Sequence, residues 1–140
     1  MNDYAGDITV DVAWEWLNSD PGAVLVDVRT EAEWRFVGVP DTPEGAKPPV
    51  FIEWVSYPEG ARNPRFLEQL AEAGIFPGGE SPVIFLCRSG QRSIGAAIAA
   101  TAVGIGPSYN VIEGFEGGMN SLGHRGAVGW QAADLPWHQD

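Results

Sequence analysis

VIFLCRSGQRS, at residues 83–93, changes character three times. Four apolar residues, Val83 to Leu86, read as a buried strand. Cys87, the single cysteine of the chain, follows at once. A short polar loop then carries Arg88, Ser89, Gly90, Gln91, Arg92 and Ser93. After it, Ile94 to Val103 is a run of small and apolar residues that predicts a helix. Cys87 is therefore expected where a strand ends, a tight loop turns and a helix begins.

That placement has chemical consequences. The first N–H groups of a helix lack intrahelical partners, and together with the macrodipole they favour negative charge. A loop curled around a cysteine adds further N–H groups to the cradle. Arg88 and Arg92 add full positive charge. The thiolate is the nucleophilic form of cysteine, and electropositive helix starts enrich it. Free cysteines are also common as small buried hydrophobes. The polar, doubly basic loop directly after the strand points to a nucleophile.

CRSGQRS resembles the active-site loop of the rhodanese family, especially its single-domain sulfurtransferases. The resemblance extends upstream to VLVDVRTEAEW (Val24 to Trp34) and downstream to YNVIEGFEGG (Tyr109 to Gly118) and GWQAADLPW (Gly129 to Trp137). It covers most of the chain in the expected order. It implies an α/β fold with a central parallel sheet flanked by helices on both faces. It also implies sulfur transfer through a persulfide on Cys87. In this family a GF…GG segment returns toward the active-site face. Many members carry a histidine in a Gly-His-Ile-Pro-Gly-Ala-like stretch; here Gly38-Val39-Pro40 has none, so no histidine is carried over.

Composition sets the outer limits. At 140 residues with a 44% apolar fraction, the chain suits one domain, 1–140, with one core. MNDYAGD does not resemble a signal peptide, and no apolar run approaches membrane-spanning length. One cysteine excludes an internal disulfide and suits a reducing cytoplasm. The formal net charge of −11 argues against nucleic acid as a partner. It also would not attract an anionic substrate, so the two loop arginines must do so locally. No metal, cofactor or membrane partner is expected.

In chain order, Thr9 caps a first helix, with Asp11 in its first turn and Val10, Ala13, Trp14 and Leu17 at helical spacing. Ala23 to Val28 reads as a strand interrupted by Asp27. Thr30 and Glu33 form a capping-box pattern that opens a second, short helix. Asp27 lies near the C-terminal edge of its strand, as Cys87 does, and ligands of open α/β sheets bind at that edge. Asp27 either orients loop groups or Arg29, or serves as a structural carboxylate. Residues 40–49 hold four prolines and read as a loop. Val50 to Val55 suggests a strand. Asn63-Pro64 opens a helix with Phe66, Leu67, Leu70 and Ala71 as its apolar stripe, and Gly74 with Ile75 gives a Schellman-type stop. In the helix after the loop, Ile94, Ala97, Ile98 and Thr101 share a face, and Gly104 is its expected C-cap. Ser108 to Glu113 reads as the last strand. Gly123 to Gly126 resembles an insertion, within which His124 could be a proton donor or a structural hydrogen-bonder. His138 reads as free.

Loop length separates two chemistries. Cysteine phosphatases and related arsenate reductases use Cys-x5-Arg. Here that position is Ser93, and Arg92 comes one place earlier. The shorter loop suits a single sulfane sulfur better than a phosphoryl group. The expected reaction has two nucleophilic steps. Cys87 takes sulfur from a small anionic donor such as thiosulfate, with Arg88 and Arg92 holding the sulfonate end. An external thiol, a protein acceptor or cyanide then removes it. The alternative is a partner-dependent persulfide carrier or a binding or regulatory module.

Overall fold

The computed structural model describes residues 3–56, 60–118, 126 and 128–139. Its main sheet has five strands: β1 (Gly6–Ile8), β2 (Val24–Asp27), β4 (Val50–Phe51), β5 (Val83–Leu86) and β6 (Ser108–Val111). Their spatial order is β1-β6-β5-β2-β4, and every pairing is parallel. β5 lies at the centre, between β2 and β6. Two short strands, β3 (Val39–Pro40) and β7 (Trp137–His138), form a separate antiparallel pair.

Both faces of the sheet are covered, which is why its inner strands β2 and β5 read as nearly continuous apolar runs. Val24, Val26, Val83, Phe85 and Cys87 point to one face, together with Val28 just beyond β2. They meet Phe66 and Leu70 of α3 (Phe66–Glu72) and Ala96, Ala97 and Ala100 of α4 (Arg92–Ala102). Leu25, Ile84, Leu86 and Val111 point to the other, against Val10, Ala13 and Leu17 of α1 (Val10–Ser19), with Phe115 and Trp130. This alternation is the period-2 pattern of a strand with two dry faces. The expected α/β architecture, with a parallel sheet between helices, is the one observed.

Local signals hold closely at several ends. Thr9 Oγ1 accepts from the Val12 N–H, capping α1. Thr30 and Glu33 make a reciprocal capping box at α2 (Glu31–Phe36). Gly74 closes α3 with Ile75 N–H on Leu70 O and Gly74 N–H on Ala71 O, the paired bonds of a Schellman stop.

Other expectations need correction. β1 was not legible, because its three residues carry no strand pattern of their own. The Val50 to Val55 run pairs as a strand only over Val50–Phe51; Ile52 and Trp54 continue the contact irregularly, donating to Asp27 O and Val28 O. In α3 only Phe66 and Leu70 are buried, and Leu67 and Ala71 face outward, because seven residues present only two turns to the sheet. In α4 the buried face is Ser93, Ala96, Ala97 and Ala100 rather than the isoleucines. Small residues face the sheet there, and a side chain added at Gly95 would come within 3.0 Å of the Trp54 ring. β6 is not the last strand, since β7 follows it. His138 is not free: its Nδ1 lies 2.7 Å from Asp41 Oδ1. His124 lies outside the described residues, as does the Gly123 to Gly126 segment apart from Gly126.

Candidate active site

β5 ends at Leu86, and the chain turns at Cys87 into the loop that leads to α4. The Cys87 residue is only 1% exposed. Its Sγ lies 3.1 Å from the Gly90 N–H and 3.1 Å from Ser93 Oγ. The loop thus folds back on the sulfur from its own C-terminal side. Gly90 makes this possible. Its φ is +89°, and a Cβ there would sit 2.1 Å from Ile112 O.

A second segment straps the loop from the opposite side. Phe115 N–H donates to Cys87 O, and the N–H groups of Glu116 and Gly117 donate to Arg88 O. Gly114, at φ +71°, brings this return close; a Cβ there would meet Arg88 O at 2.4 Å. The GF…GG segment therefore does return to the cysteine.

Over the sulfur lies a cleft of about 580 Å³. Its walls come from three sources, one of them Ser56 and Gly60 from the segment after β4. The loop contributes Cys87, Arg88, Ser89, Gln91 and Arg92, and α2 with its flanks contributes Thr30, Ala32, Glu33, Phe36 and Val37. Gly90 and Ser93 lie behind the sulfur and are buried. The two arginines play different parts. Arg88 is exposed and makes no ion pair with a described residue. Arg92 is clamped: Nη1 and Nη2 reach Glu33 Oε1 and Oε2 at 2.7 and 2.8 Å. Burial opposes charge on Glu33, but hydrogen bonds and charge from Arg92, with help from Thr30, hold its carboxyl below the ordinary value. The Glu33 hydrogen bond in turn holds Arg92 above its ordinary value, against burial. Both arginines line the cleft, Arg88 without an ion pair to a described residue and Arg92 with its guanidinium already paired with Glu33.

Asp27 and Arg29 lie outside the cleft. Both are fully buried and form a two-pronged pair, Nε to Oδ1 at 2.9 Å and Nη2 to Oδ2 at 2.6 Å. Nη2 also donates to Gly38 O at 2.8 Å, and the guanidinium lies 4.2 Å over the Phe115 ring. Asp27 fits both readings: it orients the Arg29 guanidinium, and its Oδ1 also accepts from the Arg29 backbone N–H at 3.1 Å, as a structural carboxylate does. The pair joins the end of β2 to the exit of α2 and to the strap behind Cys87.

Residue reading missed Glu33 as a site residue, seeing in it only a helix cap, and missed Asn110. Asn110 is fully buried on β6. Its Nδ2 donates to Asp7 Oδ1 at 3.0 Å and to Gly90 O at 3.3 Å, and its Oδ1 accepts from Ser93 Oγ. An amide within the segment expected as a strand, Ser108 to Glu113, was the available signal.

Comparison with known proteins bears on the family and the fold. The family model described as the rhodanese-like domain matches residues 9–121. An uncharacterised protein of Rickettsia conorii, RC0915, is 35% identical over 126 residues, covering 89% of this chain and 90% of that protein. RP600 of Rickettsia prowazekii, also uncharacterised, is 33% identical over 125 residues, with the same coverage. Among solved structures, the crystal structure of Rv0390 from M. tuberculosis is 55% identical, with a TM-score of 0.87, over 98% of this chain and 99% of that one. The solution structure of a polysulfide-sulfur transferase homodimer from Wolinella succinogenes shares the fold, with a TM-score of 0.66 and 22% identity over 99% of this chain and 80% of that one. On the family match and these relatives, the chain belongs to the rhodanese-like domain family, a membership that supports sulfur transfer as its general chemistry.

Proposed function

We propose that this protein is a sulfurtransferase that carries a sulfane sulfur as a persulfide on Cys87. One observation carries the reading: the Cys87 sulfur is at the floor of the cleft, with the Gly90 N–H 3.1 Å behind it. In the first half-reaction the Cys87 thiolate attacks the outer sulfur of a donor such as thiosulfate. The donor's S–S bond breaks, its electron pair leaves with sulfite, and Cys87 becomes a persulfide. In the second, a thiolate or cyanide attacks the terminal sulfur, and the electron pair of the breaking S–S bond returns to Cys87. No oxidant is consumed. Arg88, unpaired among the described residues, receives the anionic end of the donor, and Ser89 and Gln91 line its path. Gly90 and Ser93 hold the sulfur from behind. Asp27 and Arg29 support the loop indirectly.

The chain has no second cysteine, so the acceptor is external: a small thiol or a protein. A reducing cytoplasm suits such a thiol. Among the described residues no helix is long and apolar enough to cross a membrane. A partner-dependent persulfide carrier is the second reading, favoured by Phe36. This residue is 74% exposed on the cleft wall, beside Ala32 and Val37, where an acceptor protein could cover it.

The test is the intact mass before and after thiosulfate, with cyanide added last. The expected result is a gain of one sulfur on Cys87 that cyanide removes. Cys87→Ser should retain the fold and gain nothing. No gain in the wild type, with the thiol still reactive, would move the assignment to the carrier reading. Sulfur delivered to the Cys87→Ser variant would exclude the persulfide role.

A further inference from the structure

Three polar groups stand in line behind the Cys87 sulfur: Ser93, Asn110 and Asp7. Asp7 and Asn110 are neighbours because β1 and β6 pair in parallel with these two residues in register. Tyr4 Oη also donates to Asp7 Oδ1 at 2.9 Å. Ser93 is in the first turn of α4 and, like Asn110, is fully buried.

Counting protons along this line sets its polarity. The two partners of Asn110 Nδ2 are a carboxylate oxygen and a carbonyl oxygen, which only accept. The amide therefore turns its Nδ2 toward them and its Oδ1 toward Ser93. That oxygen also only accepts, so the contact uses the single hydroxyl proton of Ser93. Ser93 Oγ then faces Sγ with lone pairs. A Cys87 thiol satisfies this contact by donating S–H. An anionic sulfur does not, unless the hydroxyl turns away from Asn110.

We propose that Asn110 is a positioning residue that competes with the Cys87 sulfur for the proton of Ser93. In the resting protein the hydroxyl is held on Asn110. When Cys87 loses its proton to solvent through the cleft, or carries a persulfide anion, the hydroxyl swings to the sulfur. The line of groups thus favours a resting thiol and supplies a donor once the sulfur is anionic. This rests on Cys87 as the reacting group of the proposed function. The charged groups around the site are Arg88 and Arg92 from the loop and α4, Glu33 from α2, Asp27 and Arg29 beyond β2, Glu116 from the strap and Asp7 from β1. All are unchanged in the variants below.

The test is the pH profile of Cys87 alkylation by iodoacetamide, read by intact mass. It needs no sulfur donor, so a failure of sulfur loading leaves it intact, and the two ideas fail separately. In Asn110→Leu the hydroxyl is released to the thiolate. The rate on the acidic limb should rise about tenfold, which corresponds to about 1.4 kcal/mol, near the low end for a hydrogen bond to a charged group. In the Ser93→Ala background the same replacement should change nothing. An equal change in both backgrounds, or none in either, overturns the proposal. Asn110→Val, which removes the same acceptor within a strand-forming side chain, gives a second reading if Asn110→Leu does not fold: faster alkylation on the acidic limb supports the competition, and an unchanged or slower rate overturns it.

Discussion

Replacing Glu33 by Gln should convert Arg92 from a structural cation into a substrate-binding one. In the native protein both guanidinium prongs are taken up by Glu33, at 2.7 and 2.8 Å. The two side chains are only 26% and 19% exposed, so this pair is more than a solvated surface contact. Glutamine keeps an oxygen for capping α2 but removes the charge. At an effective dielectric of about 20, a freed guanidinium roughly 6 Å from one donor charge contributes about 2.8 kcal/mol. Screening and side-chain ordering reduce this to about half, so kcat/KM for thiosulfate should rise about tenfold. The gain should appear in KM rather than kcat, and should shrink at high salt. A donor with no charge on its leaving group should show none of it. Stability should fall by about 1.5–3 kcal/mol, the range of one hydrogen bond to a charged group. The acid limb adds a check. Because the folded pKa of Glu33 is lowered from 4.5, its stabilisation is present above that value and is lost as pH falls through the lower folded value. The Gln variant should lack this loss. Unchanged steady-state constants for thiosulfate in a folded Glu33→Gln protein would refute the reasoning.

Two further outcomes follow from the loop and its support. Gly90→Ala combines a φ of +89° with a Cβ 2.1 Å from Ile112 O, so the loop must shift and the N–H must leave the sulfur. We expect a loss of about 1–3 kcal/mol in denaturant unfolding, with sulfur loading much slower than in the wild type; loading at the wild-type rate would count against the cradle. Asp27→Ala leaves the Arg29 charge buried and unpaired, which costs about 3–5 kcal/mol, whereas replacing both residues by apolar ones should cost far less. Equal losses in the single and double variants, measured by urea unfolding, would mean that the pair acts through packing alone.

The order of strands and helices was largely legible because each element carries its own signal. Two dry sheet faces produce apolar runs such as Val83–Leu86. Thr30 with Glu33 marks a helix start, and Gly74 with Ile75 marks a stop. Such signals act over a few residues, so they survive without knowledge of the fold. Where an element depends on distant partners, its own residues were silent. Gly6–Ile8 becomes a strand only because β6 presents an open edge. Trp137–His138 becomes one only because β3 lies beside it. The alanine face of α4 was misread because hydrophobicity pointed to the isoleucines, whereas close approach to the sheet selects small side chains.

The candidate site divides in the same way. Cys87, its loop and the short spacing to Arg92 are contiguous, so the sequence by itself was enough to single out the cysteine, the polar loop that follows it and a spacing one residue shorter than Cys-x5-Arg. Only the tertiary structure decided what each loop group is free to do. Arg92 meets Glu33 across 59 positions of chain, and Ser93 meets Asn110 across 17. Charge and hydrogen-bonding capacity are properties of a residue, but whether they are already satisfied depends on neighbours that only folding brings within 3 Å. For that reason the two loop arginines, alike in sequence, differ in the protein: Arg88 is exposed at the cleft and Arg92 is held by Glu33.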